Sequence, residues 1–439
     1  MNVDREGRLD LTVIKYVSGS NPLRVKCGDV LFNNTNSAEL IGKTAYIGIE
    51  ADLAFSNHMT RLRPLEGIDA RFMSYQLHFL WMMGYFQHRC THHVNQASVS
   101  STALAESVPF VVAPTSEQSR IAGEIEKQFT RLDAAVGALK RTQANLKRYH
   151  AAVLKAACEG HLTADWRVLN SNTRAAEEAW SVKKMPKTET VELPLLPDTW
   201  SWYRLKSISH RVSVGHVGPT SEFYCPAEVG VPFVRSQNVR PGKLDFEGMQ
   251  YITPEFHRRL KKSTLLSGDL LVVRVGANRG DTCSVAEGLG DINCANVVSA
   301  RPYQGLSLYL EAYCQSQLGQ ELLLGMTTGS AQGVLNTKSV AELPVPVPPA
   351  DERVEILQRL ENLETLTERI EKSVRDSTSR AGRLRQAILK RAFVGELVDH
   401  NPKDEPASTL LERIRVERLA EPRASRNKGR RAKEFQNVS

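Results

Sequence analysis

The chain has 439 residues, 41% of them hydrophobic, and a formal net charge of +8. That is length for two to three domains with enough apolar material for packed cores, which excludes wholesale disorder. The cationic surplus favours a polyanionic partner without choosing nucleic acid over an acidic protein or a membrane surface.

Seven cysteines (Cys27, Cys90, Cys158, Cys225, Cys283, Cys294 and Cys314) are scattered and odd in number, with no Cys-x-x-Cys pair. They read as reduced thiols, most of them small core residues. The opening Met1-Asn2-Val3-Asp4-Arg5-Glu6 lacks a basic-then-apolar signal pattern. The most apolar short run, Phe79 to Phe86, falls far short of a membrane span. The expectation is a soluble, cytoplasmic protein with no membrane partner.

In chain order, residues 1–113 form a first globular unit with a strand-like run at Asp29–Phe32 and a buried-looking helix near Ala70–Phe86. Prolines from Pro109 to Pro114 then forbid a helix. A long helix is predicted over 114–162, where Ile121, Ile125, Phe129, Leu132, Val136, Leu139, Leu146, Tyr149 and Val153 recur mostly at spacings of three and four. A polar linker (163–194) leads to a second globular unit, 195–349, with a strand-like run at Asp269–Val275 and a helix near Leu308–Leu324. Its exit, Pro344 to Pro349, precedes a second long helix over 350–397, with Leu357, Leu360, Leu363, Leu366, Ile370, Val374, Ala381, Leu384 and Ile388 in the seam. Each long helix, at about 40 residues and 1.5 Å per residue, would be about 60 Å long. Residues 398–439 hold a short amphipathic helix near Asp404–Arg415, with a Ser/Thr start and a Glu close behind, then a basic tail, Arg423 to Lys433.

The chain is a duplicated unit. Leu154-Lys155-Ala156-Ala157-Cys158-Glu159-Gly160-His161-Leu162 returns 235 positions on as Leu389-Lys390-Arg391-Ala392-Phe393-Val394-Gly395-Glu396-Leu397. At that displacement Pro109 meets Pro344, Pro114 meets Pro349, Glu117 meets Glu352 and Ile121 meets Ile356; Gly7–Leu11 answers Gly242–Phe246. Gly28-Asp29-Val30-Leu31 answers Gly268-Asp269-Leu270-Leu271 at 240. The ends of a compact domain usually lie close together, so the end of the first helix belongs near the start of the second. The expected fold class is therefore α+β, two α/β globular units joined by two long antiparallel coiled-coil helices with an internal pseudo-two-fold repeat. One asymmetry stands out. About 40 residues, Pro197 to Gln237, have no counterpart in the first unit, where Met1-Asn2-Val3 aligns with Gln237-Asn238-Val239. An upstream start, a truncated first unit and completion by another polypeptide all fit this pattern.

The order of globular unit, Pro-rich exit and long helix ending in Leu-Lys-x-Ala-x-x-Gly-x-Leu, then a second copy, resembles the specificity subunits of type I restriction–modification systems. Leu196–Trp202, Phe233–Val239, Thr328–Asn336 and Asp404–Arg418 also fit, and the likeness covers essentially the whole chain. It implies that each globular unit is a target-recognition domain for one half of a split, asymmetric double-stranded DNA site. It also implies that the helices fix the gap and dock modification subunits, two of them, that bind S-adenosylmethionine and methylate adenine. A further motor-nuclease restriction subunit would use ATP and Mg. No cofactor or metal is expected on this chain.

Catalytic signatures are absent: there is no Asn-Pro-Pro-aromatic or Asp-Pro-Pro-aromatic tetrapeptide and no Gly-rich cofactor loop. Ile41-Gly42-Lys43-Thr44 looks like the end of a phosphate loop, but Ser37 stands where the leading Gly is needed, and the aligned Arg279-Gly280-Asp281-Thr282 lacks the Lys. His88, Cys90, His92 and His93 are too crowded for one tetrahedral site. For base reading, loops that mix Arg, Asn, Gln, Ser and Gly are the candidates. In the second unit these are Arg235, Ser236, Gln237, Asn238, Arg274, Asn278, Arg279, Ser330, Gln332 and Asn336; in the first, Asn33, Asn34, Asn36, Lys43, Asn95, Gln96 and Ser98. Such residues equally bond within turns. The run His257, Arg258, Arg259, Lys261 and Lys262 suits phosphates, which position without specifying. For the helix seam and subunit docking the candidates are Ile125, Leu132, Val136, Leu139, Leu146, Val153, Leu363, Ile370, Val374, Leu384 and Ile388. A coiled-coil scaffold that binds proteins at its ends, and a truncated subunit reading one half-site, are the rival readings.

Overall fold

The computed structural model describes residues 2–16, 23–50, 52–170, 182–186, 189, 193–325 and 333–420. The chain divides into two compact units, Met1–Lys140 with Val374–Ser439, and Arg141–Ser373. Both divisions fall inside long helices, Thr115–Cys158 and Ala350–Phe393, each of 44 residues, so each unit owns part of both. The basic tail expected at Arg423–Lys433 lies outside the described residues.

Unit 2 is built mainly on antiparallel strands. Leu270–Val273, buried along its whole length, sits between Thr282–Ser284 and Val297–Pro302, and Ser209–Val214 closes the far edge. A second sheet runs Gln250–Ile252, Val231–Val234, Ile292–Cys294, Thr264–Leu265; its Val231–Val234 and Ile292–Cys294 strands are parallel. Pro344–Val347, the Pro-rich exit, is a fully buried strand paired with Ser201–Arg204. The helical stretch expected near Leu308–Leu324 is two helices, Ser307–Gln315 and Gln317–Gly325. The break is at Ser316, whose Oγ donates to Tyr313 O at 2.7 Å and accepts from Gly319 N at 3.1 Å. A side chain at Gly319 would collide with the Tyr313 carbonyl, so the kink needs glycine there.

Unit 1 repeats this plan with fewer strands. Val30–Asn33 lies between Thr44–Tyr46 and Met59–Leu62, covered by the helix Ala70–Met82 that Asp69 caps. The duplication holds down to single hydrogen bonds. In unit 2 Asn238 Nδ2 donates to Asp245 O at 3.0 Å, and Asp245 N returns a bond to Asn238 O at 2.7 Å. In unit 1 Asn2 Nδ2 donates to Asp10 O at 2.8 Å, and Asp10 N to Asn2 O at 2.9 Å. Both turns pass through a glycine with left-handed φ, Gly242 at 72° and Gly7 at 77°. Asp29 and Asp269, each 1% exposed, precede the central strands and are gripped by Arg63 and Arg301. Burial pushes the Asp29 carboxyl up, but bonds from Arg63 and from Lys26 N–H outweigh it and hold the group below the usual carboxylate range.

Within each unit the long-helix segments run antiparallel. In unit 1 Ile121, Ile125 and Phe129 pack with Leu389 and Ala392, and further along Asp133 pairs with Arg385. In unit 2 Leu154 and Ala157 share a core with Ile356 and Leu360. Ile125, Leu363 and Val374 are buried, and Leu132, Val136, Leu139, Leu146, Val153, Ile370 and Ile388 are half-buried. Leu384 is not in the seam: it is 46% exposed, because the three-four spacing from Ala381 passes to Arg385, half-buried over the Phe129 ring at 5.1 Å. Tyr149 and Leu366 are likewise outside it, displaced by His150 and Thr367.

His78, 2% exposed, has its imidazole pulled down to about 4 by burial, with Arg385 and Lys43 adding to the effect and Asp4 opposing it. Between pH 6.5 and 4 the unfolded chain therefore takes up a proton that the folded chain refuses, so stability falls as pH falls through that window, by up to about 3 kcal/mol. In thermal melts, His78→Leu is expected to flatten this pH dependence; an unchanged slope would remove His78 as its source. A second expectation concerns Glu352, fully buried and accepting from Trp200 Nε1 at 2.8 Å and Thr163 Oγ1 at 2.6 Å while pairing with Arg167. Glu352→Ala should cost unit 2 about 3 kcal/mol in urea unfolding and shift Trp200 emission to the red.

Candidate nucleic-acid interface

Two parallel strands that end side by side make a polar turn surface in unit 2. Cys294 pairs with Val234, so the chain leaving one strand (Ala295, Asn296) lies beside the chain leaving the other (Arg235 to Asn238). Ala295 N donates to Val234 O at 2.9 Å and Ser236 Oγ to Asn296 O at 3.3 Å. Asn296, with φ 57°, is the one non-glycine among the described residues with a left-handed backbone, a conformation asparagine tolerates better than most residues. Gln237 is exposed at the tip, and Arg235 and Ser236 are half-buried beside it. Asn238, in contrast, is 0% exposed and spends its side chain on Arg235 N and Asp245 O. It builds the turn and cannot reach a base edge.

The Arg274 group is also turned inward. Arg274 Nε donates to Leu335 O at 3.2 Å and Arg279 Nη1 to Gly333 O at 2.6 Å, so both arginines hold the 333–335 segment. Asn336 caps the following helix, Thr337–Ala341, by accepting from Ser339 N at 2.8 Å. Asn278, half-buried in the same loop, accepts from Asp281 N through its carbonyl at 3.0 Å. Ser330 and Gln332 lie outside the described residues.

In unit 1 the candidates separate the same way. Asn33 is fully buried, and Lys43, 6% exposed, donates to Val3 O, with burial pulling its ammonium below the usual lysine range. Both are interior, which ends the phosphate-loop likeness of Ile41–Thr44. Asn34 Nδ2 donates to Asn57 O and Thr60 Oγ1, and the Asn36 side chain accepts from Ser37 N. Asn95 and Gln96 are exposed at the tip of the hairpin Thr91–His92/Ala97–Ser98, with Ser98 bonded to His93 at its base. Cys90 Sγ lies 3.7 Å from His92 Nε2, and among the described residues no three His, Cys, Asp or Glu converge on a metal-sized site. Cys158, Cys283, Cys294 and Cys314 are pushed up to about 12 by burial, so these thiols are inert core residues.

Sequence reasoning missed His216 and Asn296. Nothing in Val214-Gly215-His216-Val217 or Ala295-Asn296-Val297 marks them, because only strand adjacency brings them to the turn.

The fold and this interface define a duplicated α+β protein that offers polar turns at strand ends. Residues 295–376 match the model of the type I restriction modification DNA specificity domain. The chain is 28% identical to the EcoBI specificity subunit of Escherichia coli over 77% of this chain and 70% of that one. It is 25% identical to the EcoKI specificity subunit of Escherichia coli strain K12 over 91% and 83%. A solved chain from work on complex assembly and conformational transition of the type I R-M system aligns with a TM-score of 0.65 at 16% identity, covering 90% of each. The HsdS subunit from Thermoanaerobacter tengcongensis aligns at 0.51 and 17% identity, covering 90% and 89%. The chain is thus similar, in one domain by family model and along most of its length by sequence, to the specificity subunits of type I restriction–modification systems. Among the described residues no helix is long and apolar enough to cross a membrane.

The division between building and reading residues is testable. Asn238→Ala should destabilise unit 2 by about 2 kcal/mol by emptying a buried site and stranding two half-buried backbone partners, while Gln237→Ala should change stability by no more than about 0.5 kcal/mol. Equal melting shifts for the two variants would reverse the assignment.

Proposed function

We propose that this chain is the DNA-specificity subunit of a cytoplasmic type I restriction–modification complex and reads a two-part, asymmetric site, one part per unit. In this reading the chain itself is not catalytic. Two modification subunits dock on its helices, carry S-adenosylmethionine and methylate adenine, and restriction subunits bring ATP and Mg. The match to the specificity domain, with likeness to two specificity subunits over 77% and 91% of this chain, carries the reading. The residues it assigns to base contact are the exposed Gln237 with the half-buried Arg235 and Ser236 in unit 2, and the exposed Asn95 and Gln96 in unit 1. Amide side chains can bond adenine bidentately, and arginine can do the same to guanine.

The test is a gel shift of the chain with its methyltransferase partner on its target, located by sequencing the methylated genome. Gln237→Ala should cost about 1–3 kcal/mol and relax preference in one half-site only, and Gln96→Ala should do so in the other. Binding of the wild-type complex with no preference for any sequence would overturn the proposal.

A further inference from the structure

The basic run picked out above is not scattered over the surface. Arg258, Arg259, Lys261 and Lys262 line one side of a cleft of about 620 Å³, whose other wall is Val214, Gly215 and His216. All four cations are exposed, and among the described residues no carboxylate lines the cleft and none of the four makes an ion pair. Four unpaired like charges around one concavity repel each other, and a polyanion relieves that repulsion.

The cleft is rigid. Arg258 and Arg259 end the short helix Pro254–Arg259, which Thr253 caps and the buried Phe256 anchors. Phe256 stacks on Phe223 at 3.8 Å, and the Arg259 guanidinium lies 5.8 and 5.9 Å from the two rings. Asn293, buried, donates to Leu260 O at 3.2 Å, and Cys294 Sγ donates to Ser263 O at 3.4 Å. The opposite wall is fixed by His216 N, which donates to Cys294 O at 2.8 Å. Among the described residues the buried His216 Nε2 has no hydrogen-bond partner.

This cleft also adjoins the turn assigned to base reading. Asn296 N donates to His216 O at 3.1 Å, and Ser236 Oγ donates to Asn296 O at 3.3 Å. Cleft wall, Asn296 and the Arg235–Gln237 turn are thus linked bond by bond.

We propose that the cleft between His216 and Arg258–Lys262 seats backbone phosphates of the same duplex whose base edges meet Arg235–Gln237. This rests on the DNA-specificity reading and adds a sequence-independent anchor to it. Arg258, Lys261 and Lys262 supply charge; Arg259 is held over the aromatic pair and shapes the wall. Because phosphates carry no sequence information, the cleft adds affinity without discrimination.

The experiment compares the full chain with Arg258→Gln/Lys261→Gln/Lys262→Gln on target and scrambled duplexes across a salt series. Each phosphate contact contributes about 0.9 to the slope of log K against log salt, so the slope should fall by about 2–3, with the target-to-scrambled ratio unchanged. Methylphosphonates at single positions provide the second readout: neutralising a seated phosphate should weaken the wild type and leave the triple variant unaffected. An unchanged slope, or methylphosphonate losses equal in both proteins, overturns the cleft assignment while leaving the DNA reading intact. So does a collapse of the target ratio, which would make these residues base readers. Loss of partner-subunit binding with DNA binding intact would assign the cleft to an acidic protein face instead. A wild-type complex without DNA affinity would remove the specificity reading and this inference together.

Discussion

A buried glutamate in the first turn of each long helix closes each unit. Glu352 accepts from Thr163 and Trp200 and pairs with Arg167, so the start of the second helix grips the segment that follows the first. Glu117, 5% exposed, faces His400 at 3.0 Å, while Ser116 and Arg120 hold Asp404, so the start of the first helix grips the segment that follows the second. A carboxylate at a helix N-terminus is favoured by the helix dipole, but burying it costs several kcal/mol unless partners surround it. Those partners come from segments remote in sequence, and the antiparallel course of the helices in each unit follows from that need. The reciprocity of the two clasps is the sequence duplication expressed in single contacts.

The clasps also show how the units differ. In unit 2 Trp200 reaches Glu352 and leads into Ser201–Arg204, which covers the Pro344–Val347 strand and leaves it fully buried. In unit 1 the equivalent stretch, Pro109 to Val112, is exposed or half-buried, and Val111 bonds only sideways to Gln76 through its N–H and carbonyl. The sheet around Val30–Asn33 correspondingly has three strands where that around Leu270–Val273 has four. The asymmetry in the sequence repeat is therefore an asymmetry in sheet width, and the shared parts keep their geometry.

The duplication, the two helices and their seams were legible because periodicity and proline placement are local signals. Misplaced details had non-local causes. Leu384 looks like a seam residue until the three-four spacing is traced through Ala381 to Arg385, whose charge disguises its position over Phe129. Leu308–Leu324 looks like one helix because nothing in its apolar pattern reveals the backbone contact at Gly319. Among the site candidates, Asn238 and Gln237 are indistinguishable by residue type, yet one is interior and the other exposed. Polar residues next to glycine mark a turn, but which of them faces solvent depends on the strands that flank it. His216 and Asn296 were invisible for the same reason.

The central strands of unit 2 constrain where any recognition chemistry can sit. Leu270–Val273 and Pro344–Val347 are buried throughout, so a polar reading residue within them would lose its water without gaining a partner. Strand ends and hairpin tips escape that cost, and those positions carry few packing constraints. Asn238, Asp245 and the aspartate–arginine grips can therefore stay fixed while Gln237, Gln96 and their neighbours change. A fold of this kind can alter what it reads without altering how it stands, because the groups that hold the turn and those that meet the ligand are different side chains.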